Sequence, residues 1–192
     1  MMNEKVEAAA ELIVSAYKKG GKVLVCGNGG SAADSEHIVG ELMKQFKMPR
    51  KTDKDFAAAW ARLYPNDALI NSLQGAVPAI SLASQTSLMT ALLNDNGGEV
   101  VFAQQVYGYG RGGDVLIALS TSGNSVSVIN AVKAAKARGM KVIGFTGESG
   151  GKAGPMCDIL FNVPEKETYR VQELHLPIYH ALCALVEFKL WS

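Results

Sequence analysis

The sequence predicts an α/β protein in which a five-stranded, mostly parallel sheet carries helices on both faces, as in Rossmann-like and flavodoxin-like three-layer sandwiches. Short apolar runs of β type alternate with longer helical patterns, which is the order that crossovers between parallel strands require. Glycine-rich or serine-rich segments separate the two kinds of pattern. With 192 residues, 48% of them hydrophobic and 19% charged, the chain is long enough for one domain, spanning 1–192, with a sizeable core.

The strands are predicted from short apolar runs that end at turn residues. The run 114–119 is the clearest, because it is apolar after its first residue and stops at a cluster of serines. A run of this kind is typical of a strand that is buried on both faces. In chain order, the predicted strands are 22–26, 77–82, 114–119, 141–145 and 159–163.

The helices are predicted from apolar residues that recur every three or four positions. In the first of them Val6, Ala9, Ile13 and Tyr17 share one face, and Gly20-Gly21 ends it. In chain order, the predicted helices are 3–19, a segment starting at 31, 56–64, 85–93, 99–109, a segment after 125, and 168–190.

One segment departs from this alternation. Residues 44–54 are basic and polar, and a short helical pattern and a Pro-Asn-Asp turn follow them. We interpret 50–75 as a helical excursion inserted into the domain. Its Phe56 and Trp60 are predicted to serve packing or subunit contact.

Composition argues against several classes of protein. The net charge of +1 gives no electrostatic reason to expect a nucleic-acid or membrane partner. No apolar run approaches the ~20 residues of a membrane span, and the first residues lack the pattern of a signal peptide. Three widely spaced cysteines fit neither a disulfide framework nor a metal motif, and Cys26 and Cys183 are predicted to be inert core residues. We expect a cytoplasmic protein.

The glycine-rich turn after the first strand predicts an anion site. Gly27-Asn28-Gly29-Gly30-Ser31 joins a buried strand to the start of a helix, where unpaired N–H groups and the helix dipole favour negative charge. Ser31 is expected to cap the helix and to offer its hydroxyl. His37 and Glu41, at positions i and i+4, share one face of this helix as a candidate proton-transfer or metal pair.

A second turn of the same kind follows the strand 114–119. It carries Ser120, Thr121, Ser122 and Ser125, and hydroxyls with backbone N–H groups bind phosphate without a lysine. A polar turn capped by Ser122 or Ser125 is the simpler alternative. Because neither the dinucleotide fingerprint nor the G-x-x-x-x-G-K-[ST] phosphate loop is present, a sugar phosphate fits better than a nucleotide.

Taken together, these motifs resemble those of the sugar isomerase (SIS) domain family, and within it the phosphoheptose isomerases. The similarity covers nearly the whole chain from residue 20, except about 48–76. The matching motifs are Cys-Gly-Asn-Gly-Gly-Ser at 26–31, His37-x-x-x-Glu41, Asn94-Asp95, Ser120-Thr-Ser-Gly-Asn-Ser125 and Arg170-x-Gln172-Glu-x-His175-x-x-x-x-His180.

The resemblance implies a single SIS-type domain, a homotetramer with active sites shared between subunits, and conversion of sedoheptulose 7-phosphate to D-glycero-D-manno-heptose 7-phosphate. It implies one zinc ion per subunit, held by His37, Glu41, Gln172 and His180. Glu41 and His180 match the proton-transfer pair. The residues implied to bind the phosphate are Ser120, Thr121, Ser122 and Ser125. Those implied to line the sugar are Asn28, Gly29, Gly30, Ser31, Asn94, Asp95 and Gln172.

The reaction itself calls for such a pair. Aldose–ketose isomerisation moves a proton between adjacent carbons through an enediol, while another proton shifts between the oxygens. A carboxylate can take the carbon-bound proton, and an imidazole can serve the oxygens. Zn²⁺ could instead polarise the carbonyl. A carboxylate bound to the metal is a poorer base, so the two roles of Glu41 compete, and the sequence leaves both open.

Three alternatives remain at the level of sequence. A non-catalytic SIS adaptor of the replication-initiation type is one, although its last helix lacks a histidine matching His180. A sugar-phosphate-sensing regulator is another, although no DNA-binding segment accompanies the domain here. An isomerase of a pentose or hexose phosphate is the nearest alternative among enzymes. Taken alone, His37 could be a packed or surface histidine, Glu41 a solvated helix residue and His180 a core histidine. His175 is predicted to be a packing or supporting residue.

Overall fold

A computed structural model, which describes residues 2–192, shows an alternation of helices and strands close to the predicted one. The helices are α1 (Met2–Lys18), α2 (Gly30–Met43), α3 (Lys54–Leu63), α4 (Thr86–Asp95), α5 (Val101–Tyr109), α6 (Val126–Ala137) and α7 (Thr168–Trp191). The strands are β1 (Val23–Cys26), β2 (Ala79–Ser81), β3 (Val115–Leu119), β4 (Lys141–Thr146) and β5 (Ile159–Asn162). Short 3-10 turns lie at Ala68–Ser72, Gly98–Val100 and Gly154–Met156.

The strands form one five-stranded sheet in the order β2-β1-β3-β4-β5, and every pairing is parallel. The predicted fold class is therefore confirmed. The chain leaves β1 towards β2 on one side and returns to β3 on the other, so the direction of winding changes between β1 and β3. In open α/β sheets, this switch point is where ligands bind beyond the carboxyl ends of the strands.

Alternation along β1 shows why both faces of the sheet need a helical layer. Val23 and Val25 join the core under α1, α2 and α7, whereas Leu24 and Cys26 join the core under α5 and α6. All four residues are at most 1% exposed. Burial raises the pKa of the Cys26 thiol to about 12, as expected of an inert core cysteine. Cys183, in the opposite core, is buried in the same way.

Most element boundaries fall within two residues of their prediction, and two helices differ from it in where they begin. Helix α3 begins at Lys54 rather than 56 because the Asp53 carboxylate accepts a 2.8 Å hydrogen bond from the Phe56 N–H. The helix predicted over 99–109 is divided into a 3-10 turn at Gly98–Val100 and α5. No helix within 2–192 is both long and apolar enough to cross a membrane.

The segment 50–75 is anchored to the domain at its start. Arg50 and Glu187 form an ion pair of 2.7 Å, and the side chain of each is 1% exposed. The Arg50 guanidinium also donates to the carbonyls of Glu41 and Leu42, so it closes the end of α2. Glu187 accepts three further hydrogen bonds, from the N–H groups of Phe46, Lys47 and Met48.

Beyond that anchor the segment is superficial. Helix α3 contributes no buried side chain, and Phe56 is 42% exposed. Phe56, the half-buried Trp60 and Tyr64, which follows the helix, form a row of tilted aromatic contacts with ring centroids 5.8 and 5.1 Å apart in turn. The two aromatic residues predicted to pack or to contact another subunit therefore contribute little to the core of their own chain.

Candidate active site

A cleft of about 290 Å³ lies at the switch point between β1 and β3. Three segments enclose it: the turn after β1, the turn after β3 and the first turns of α7. Of the residues predicted to bind substrate, it gathers Asn28, Gly29, Gly30, Ser31, Ser120, Thr121, Ser122, Ser125 and Gln172. Thr168, at the start of α7, also lines the cleft and was not predicted.

The glycine-rich turn shapes one wall of this cleft. Gly29 adopts a φ of +57°, which glycine accepts without strain, and it occupies the cap position of α2. The prediction that Ser31 caps the helix was wrong, because α2 already begins at Gly30 and Ser31 lies buried in its first turn. A side chain at Gly30 would place its Cβ 2.6 Å from the Gln172 amide, so glycine here lets α7 approach α2.

The serine-rich turn forms the opposite wall. Its Ser120 N–H donates to the Phe145 carbonyl at 2.9 Å, which continues the β3–β4 ladder into the turn. Gly123 adopts a φ of +65° and packs on the backbone of Gly150 and Gly151, where a Cβ atom would collide. The Ser122 hydroxyl accepts from the Asn124 N–H at 3.1 Å. These contacts hold the hydroxyl-rich turn in place at the start of α6.

Asn28 connects the two walls. Its amide nitrogen donates to the Ser125 hydroxyl at 2.9 Å and to the Ser127 hydroxyl at 3.0 Å. Neither lysine nor arginine lines the cleft. An anion bound there would be held by hydroxyls, backbone N–H groups and the positive ends of α2 and α6.

Further along α2 and α7, three predicted catalytic or metal-binding side chains meet. The Nε2 atom of His37 lies 3.3 Å from Nε2 of His180 and 3.3 Å from Oε1 of Glu41. The Glu41 side chain is 12% exposed, and its Oε2 atom is buried without a hydrogen-bond partner. The His37 side chain is 41% exposed, so the cluster faces the surface of the single chain.

Two residues that were not predicted lie on the other side of His37: Tyr179 contacts its ring, and Asp34 contacts Tyr179. The Tyr179 hydroxyl lies 3.1 Å from Nδ1 of His37 and donates to the Asp34 carboxylate at 3.2 Å. Burial raises the pKa of both Tyr179 and Asp34. The sequence held a signal for Asp34, because it precedes His37 by three residues and therefore shares its helix face.

Other predicted residues lie elsewhere. Asn94 and Asp95 are exposed at the end of α4, where the Asn94 amide donates to the Asp95 carboxylate, and neither lines the cleft of its own chain. Gln172 is turned towards Gly30 and donates a long 3.5 Å hydrogen bond to the Ser31 hydroxyl. His175 is fully buried against the Thr146 carbonyl, and burial lowers its pKa, as fits a packing residue.

The zinc prediction stays a prediction. Within residues 2–192, no group of three or more His, Cys, Asp or Glu side chains is already arranged as a metal site. The contacts of the cluster are pairwise, with His37 in the middle. Two donors on a tetrahedral zinc ion with bonds of about 2.0–2.1 Å are about 3.3–3.4 Å apart. The two 3.3 Å separations around His37 match that spacing.

Comparison with known proteins places the chain in a family. The family model described as the SIS domain matches residues 2–147. A phosphoheptose isomerase from Rhodospirillum rubrum is 39% identical over 187 residues, which are 97% of this chain and 87% of that protein. One from Clostridium acetobutylicum is 41% identical over 189 residues, which are 98% of this chain and 84% of that protein.

The fold of the chain agrees with that of a solved phosphoheptose isomerase. The solved structure of phosphoheptose isomerase GmhA from Neisseria gonorrhoeae gives a TM-score of 0.78 at 39% identity, over 97% of this chain and 87% of that chain. The resemblance predicted from the glycine-rich and serine-rich turns and from the paired histidines is therefore confirmed over nearly the whole chain. The chain belongs to the SIS domain family and, within it, to the phosphoheptose isomerases.

Proposed function

We propose that the chain isomerises sedoheptulose 7-phosphate to D-glycero-D-manno-heptose 7-phosphate. The observation that carries this proposal is that α2 and α7 each contribute both to the cleft and to the histidine cluster. Ser31 and Gln172 line the cleft, and His37 and His180 follow on the same helices. At ~1.5 Å per residue, the two groups are about 9–12 Å apart along the helices, which an extended phosphorylated sugar can bridge.

In this proposal the hydroxyl-rich end of the cleft holds the phosphate. Ser120, Thr121, Ser122 and Ser125 would bind it, together with the N-terminus of α6. Asn28, Gly29, Gly30, Ser31 and Gln172 would contact the sugar. Asn94 and Asp95 keep a proposed role in sugar binding only in the assembly, because they lie outside the cleft of a single chain.

The reaction needs one base and one group that serves the oxygens. Glu41 would take the proton from C1 of the ketose and return it to C2 of the enediol. His180 would carry the proton from the oxygen on C1 to the oxygen on C2. The 3.3 Å contacts of His37 with both side chains support a shared reaction centre.

A bound zinc ion is a further part of the proposal. His37, His180 and Glu41 would hold it, and the 3.3 Å distances from Nε2 of His37 to the other two side chains support this set. Gln172 is turned towards Ser31 instead. Zinc would polarise the carbonyl oxygen of the substrate. Oε2 of Glu41 accepts no hydrogen bond within residues 2–192 and lies 3.9 Å from the Lys44 ammonium, so this carboxylate oxygen would remain available for proton transfer.

We also propose that the protein is a cytoplasmic homotetramer with active sites completed between subunits. The 41% exposure of His37 supports a shared site, because proton transfer to carbon needs protection from water. The exposed rings of Phe56 and Tyr64, 42% and 53% exposed, support the proposal that the excursion at 50–75 is an insertion that contacts another subunit. Three free cysteines, two of them buried, support a reducing compartment.

The proposed function is tested by incubation with a panel of C5–C7 sugar phosphates, with and without a chelator, followed by chromatographic separation of aldose and ketose. We expect interconversion of sedoheptulose 7-phosphate above that of pentose and hexose phosphates, and a lower rate with chelator that zinc restores. Failure to convert any of these substrates by the zinc-loaded protein would contradict the enzymatic proposal and favour a binding protein.

Replacing Ser122 by alanine tests the phosphate site. A hydrogen bond to a charged group contributes about 1.5–3 kcal/mol, so we expect affinity for sedoheptulose 7-phosphate to fall about 10–150-fold. Calorimetric titration measures the change, and titration with unphosphorylated sedoheptulose shows whether the loss is confined to the phosphate. Ser84→Ala is the matched control, because Ser84 is remote from the cleft and contacts Glu36. Unchanged affinity in Ser122→Ala would contradict the assignment.

A further inference from the structure

We propose that Asp34 and Tyr179 are positioning residues that hold the His37 ring with its proton on Nδ1 and its lone pair on Nε2. In this state Nε2 faces His180 and Glu41 as an acceptor. The consequences for zinc binding and turnover rest on the proposed function, whereas the tautomer of His37 can be measured without it.

The direction of the hydrogen bonds follows from counting protons. An ionised Asp34 carboxylate can only accept, and the Tyr179 hydroxyl has a single proton to donate. The Tyr179 oxygen lies 3.2 Å from Oδ1 of Asp34 and 3.1 Å from Nδ1 of His37. If the hydroxyl proton goes to Asp34, the oxygen must accept from His37, and Nδ1 must carry the proton. A neutral His37 then has a bare Nε2 atom.

The surroundings of Nε2 of His37 are those of an atom that can accept a proton or bind a cation. Nε2 of His37 lies 3.3 Å from Nε2 of His180 and 3.3 Å from a carboxylate oxygen of Glu41. Three such atoms repel one another unless positive charge or a proton lies between them. In metal sites generally, a ligating histidine donates its other N–H to a fixed acceptor, which sets both its tautomer and its orientation.

The packing of Tyr179 makes its hydroxyl a fixed point. Tyr179 is fully buried, and its ring meets those of His37 and His180 edge-on, with centroids 5.5 and 5.1 Å away. Because the Tyr179 ring contacts both His37 and His180, this one side chain supports both imidazoles. The second Asp34 oxygen is buried without a hydrogen-bond partner. Burying an unsatisfied carboxylate oxygen costs free energy, which favours a functional role for Asp34 over simple packing.

The decisive measurement is the histidine tautomer in metal-free protein, from long-range ¹H–¹⁵N correlation NMR near neutral pH. The chain has three histidines, so assignment by single substitutions is practical. We expect His37 to carry its proton on Nδ1 in the unsubstituted protein. His175 is an internal reference of the opposite kind, since its Nε2 atom faces the Thr146 carbonyl at 3.1 Å. A proton on Nε2 of His37 would overturn the proposal.

Tyr179→Phe removes the hydroxyl and keeps the ring. We expect the Nδ1–H preference of His37 to be lost and zinc affinity, measured by competition with a chromophoric chelator, to fall about 10–100-fold. Turnover should fall with it, while KM for the sugar phosphate stays within about twofold. Tyr169→Phe is the matched control, because Tyr169 is an exposed tyrosine on the same helix whose hydroxyl contacts Arg170.

Asp34→Ala provides a second test that does not disturb the buried ring. We expect the same change of tautomer as in Tyr179→Phe, and no further loss when the two substitutions are combined, because they interrupt one chain of hydrogen bonds. An unchanged His37 tautomer in either variant would contradict the proposal. If the unsubstituted protein shows no isomerase activity, the NMR result still decides this inference while the proposed function fails.

Discussion

We expect Glu41→Gln and His180→Gln each to lower kcat by at least about 100-fold while the protein still binds the phosphosugar. Glutamine keeps the size of the glutamate side chain and removes the base that would take the carbon-bound proton. At position 180 it removes the imidazole that would move protons between the oxygens. Phosphate binding should persist, because the cleft that would hold the phosphate is built from other residues.

Turnover of sedoheptulose 7-phosphate and calorimetric binding of the same compound separate these two effects. Glu36→Gln is the matched control, because Glu36 is an exposed glutamate on the same helix that contacts Ser84 instead of the cluster. Circular dichroism verifies that each variant is folded. Near-normal kcat in either variant would refute the assigned role of that residue, and loss of binding without loss of kcat would place it in substrate recognition.

The second large effect is expected on stability. Arg50→Ala should lower the free energy of unfolding by about 3–5 kcal/mol, because it leaves the buried Glu187 carboxylate without its cationic partner. It also removes two hydrogen bonds to the carbonyls at the end of α2. Since one of these carbonyls belongs to Glu41, activity should fall as the end of that helix loosens. Denaturant titration measures the loss of stability.

Lys189→Ala is the control for this substitution. Lys189 lies on the same helix as Glu187 and pairs with Glu7 and Glu11, whose side chains are 54% and 59% exposed. Ion pairs of this exposed kind contribute about 0–1 kcal/mol. Equal destabilisation by the two substitutions would show that the buried pair has no special role.

The same pair predicts a dependence of stability on pH. Burial tends to raise the pKa of Glu187, but the N–H donors of Phe46 and Lys47 and the Arg50 guanidinium outweigh it and hold the pKa below its ordinary value of 4.5. A lowered pKa means that the folded state favours the ionised carboxylate. Its contribution is therefore fully present above that ordinary value and is lost as the pH falls through the lower, folded-state pKa. Glu187→Gln should flatten this part of the acid denaturation profile.

Much of the site was predictable because its signals are local. The glycine-rich turn, the serine-rich turn and the His37–Glu41 spacing each lie within a short stretch whose turn chemistry or helical period can be recognised from sequence. Parallel strands place their carboxyl ends at one edge of the sheet, so the meeting of the two turns in one cleft also follows from topology. The resemblance then linked His180 to His37 and Glu41 on α2.

The order of the elements, the parallel sheet and the positions of the glycine-rich and serine-rich turns could be predicted from sequence, because periodicity and turn residues act over a few positions. Which distant side chains touch became known only from the folded structure. Tyr179 contacts Asp34 and His37 across 145 and 142 residues, and Arg50 pairs with Glu187 across 137. Such contacts depend on how α7 packs on α2, and packing is a property of the folded chain that no local pattern encodes. The same reason explains why Asn94 and Asp95, adjacent in sequence to a predicted turn, lie outside the cleft of their own chain.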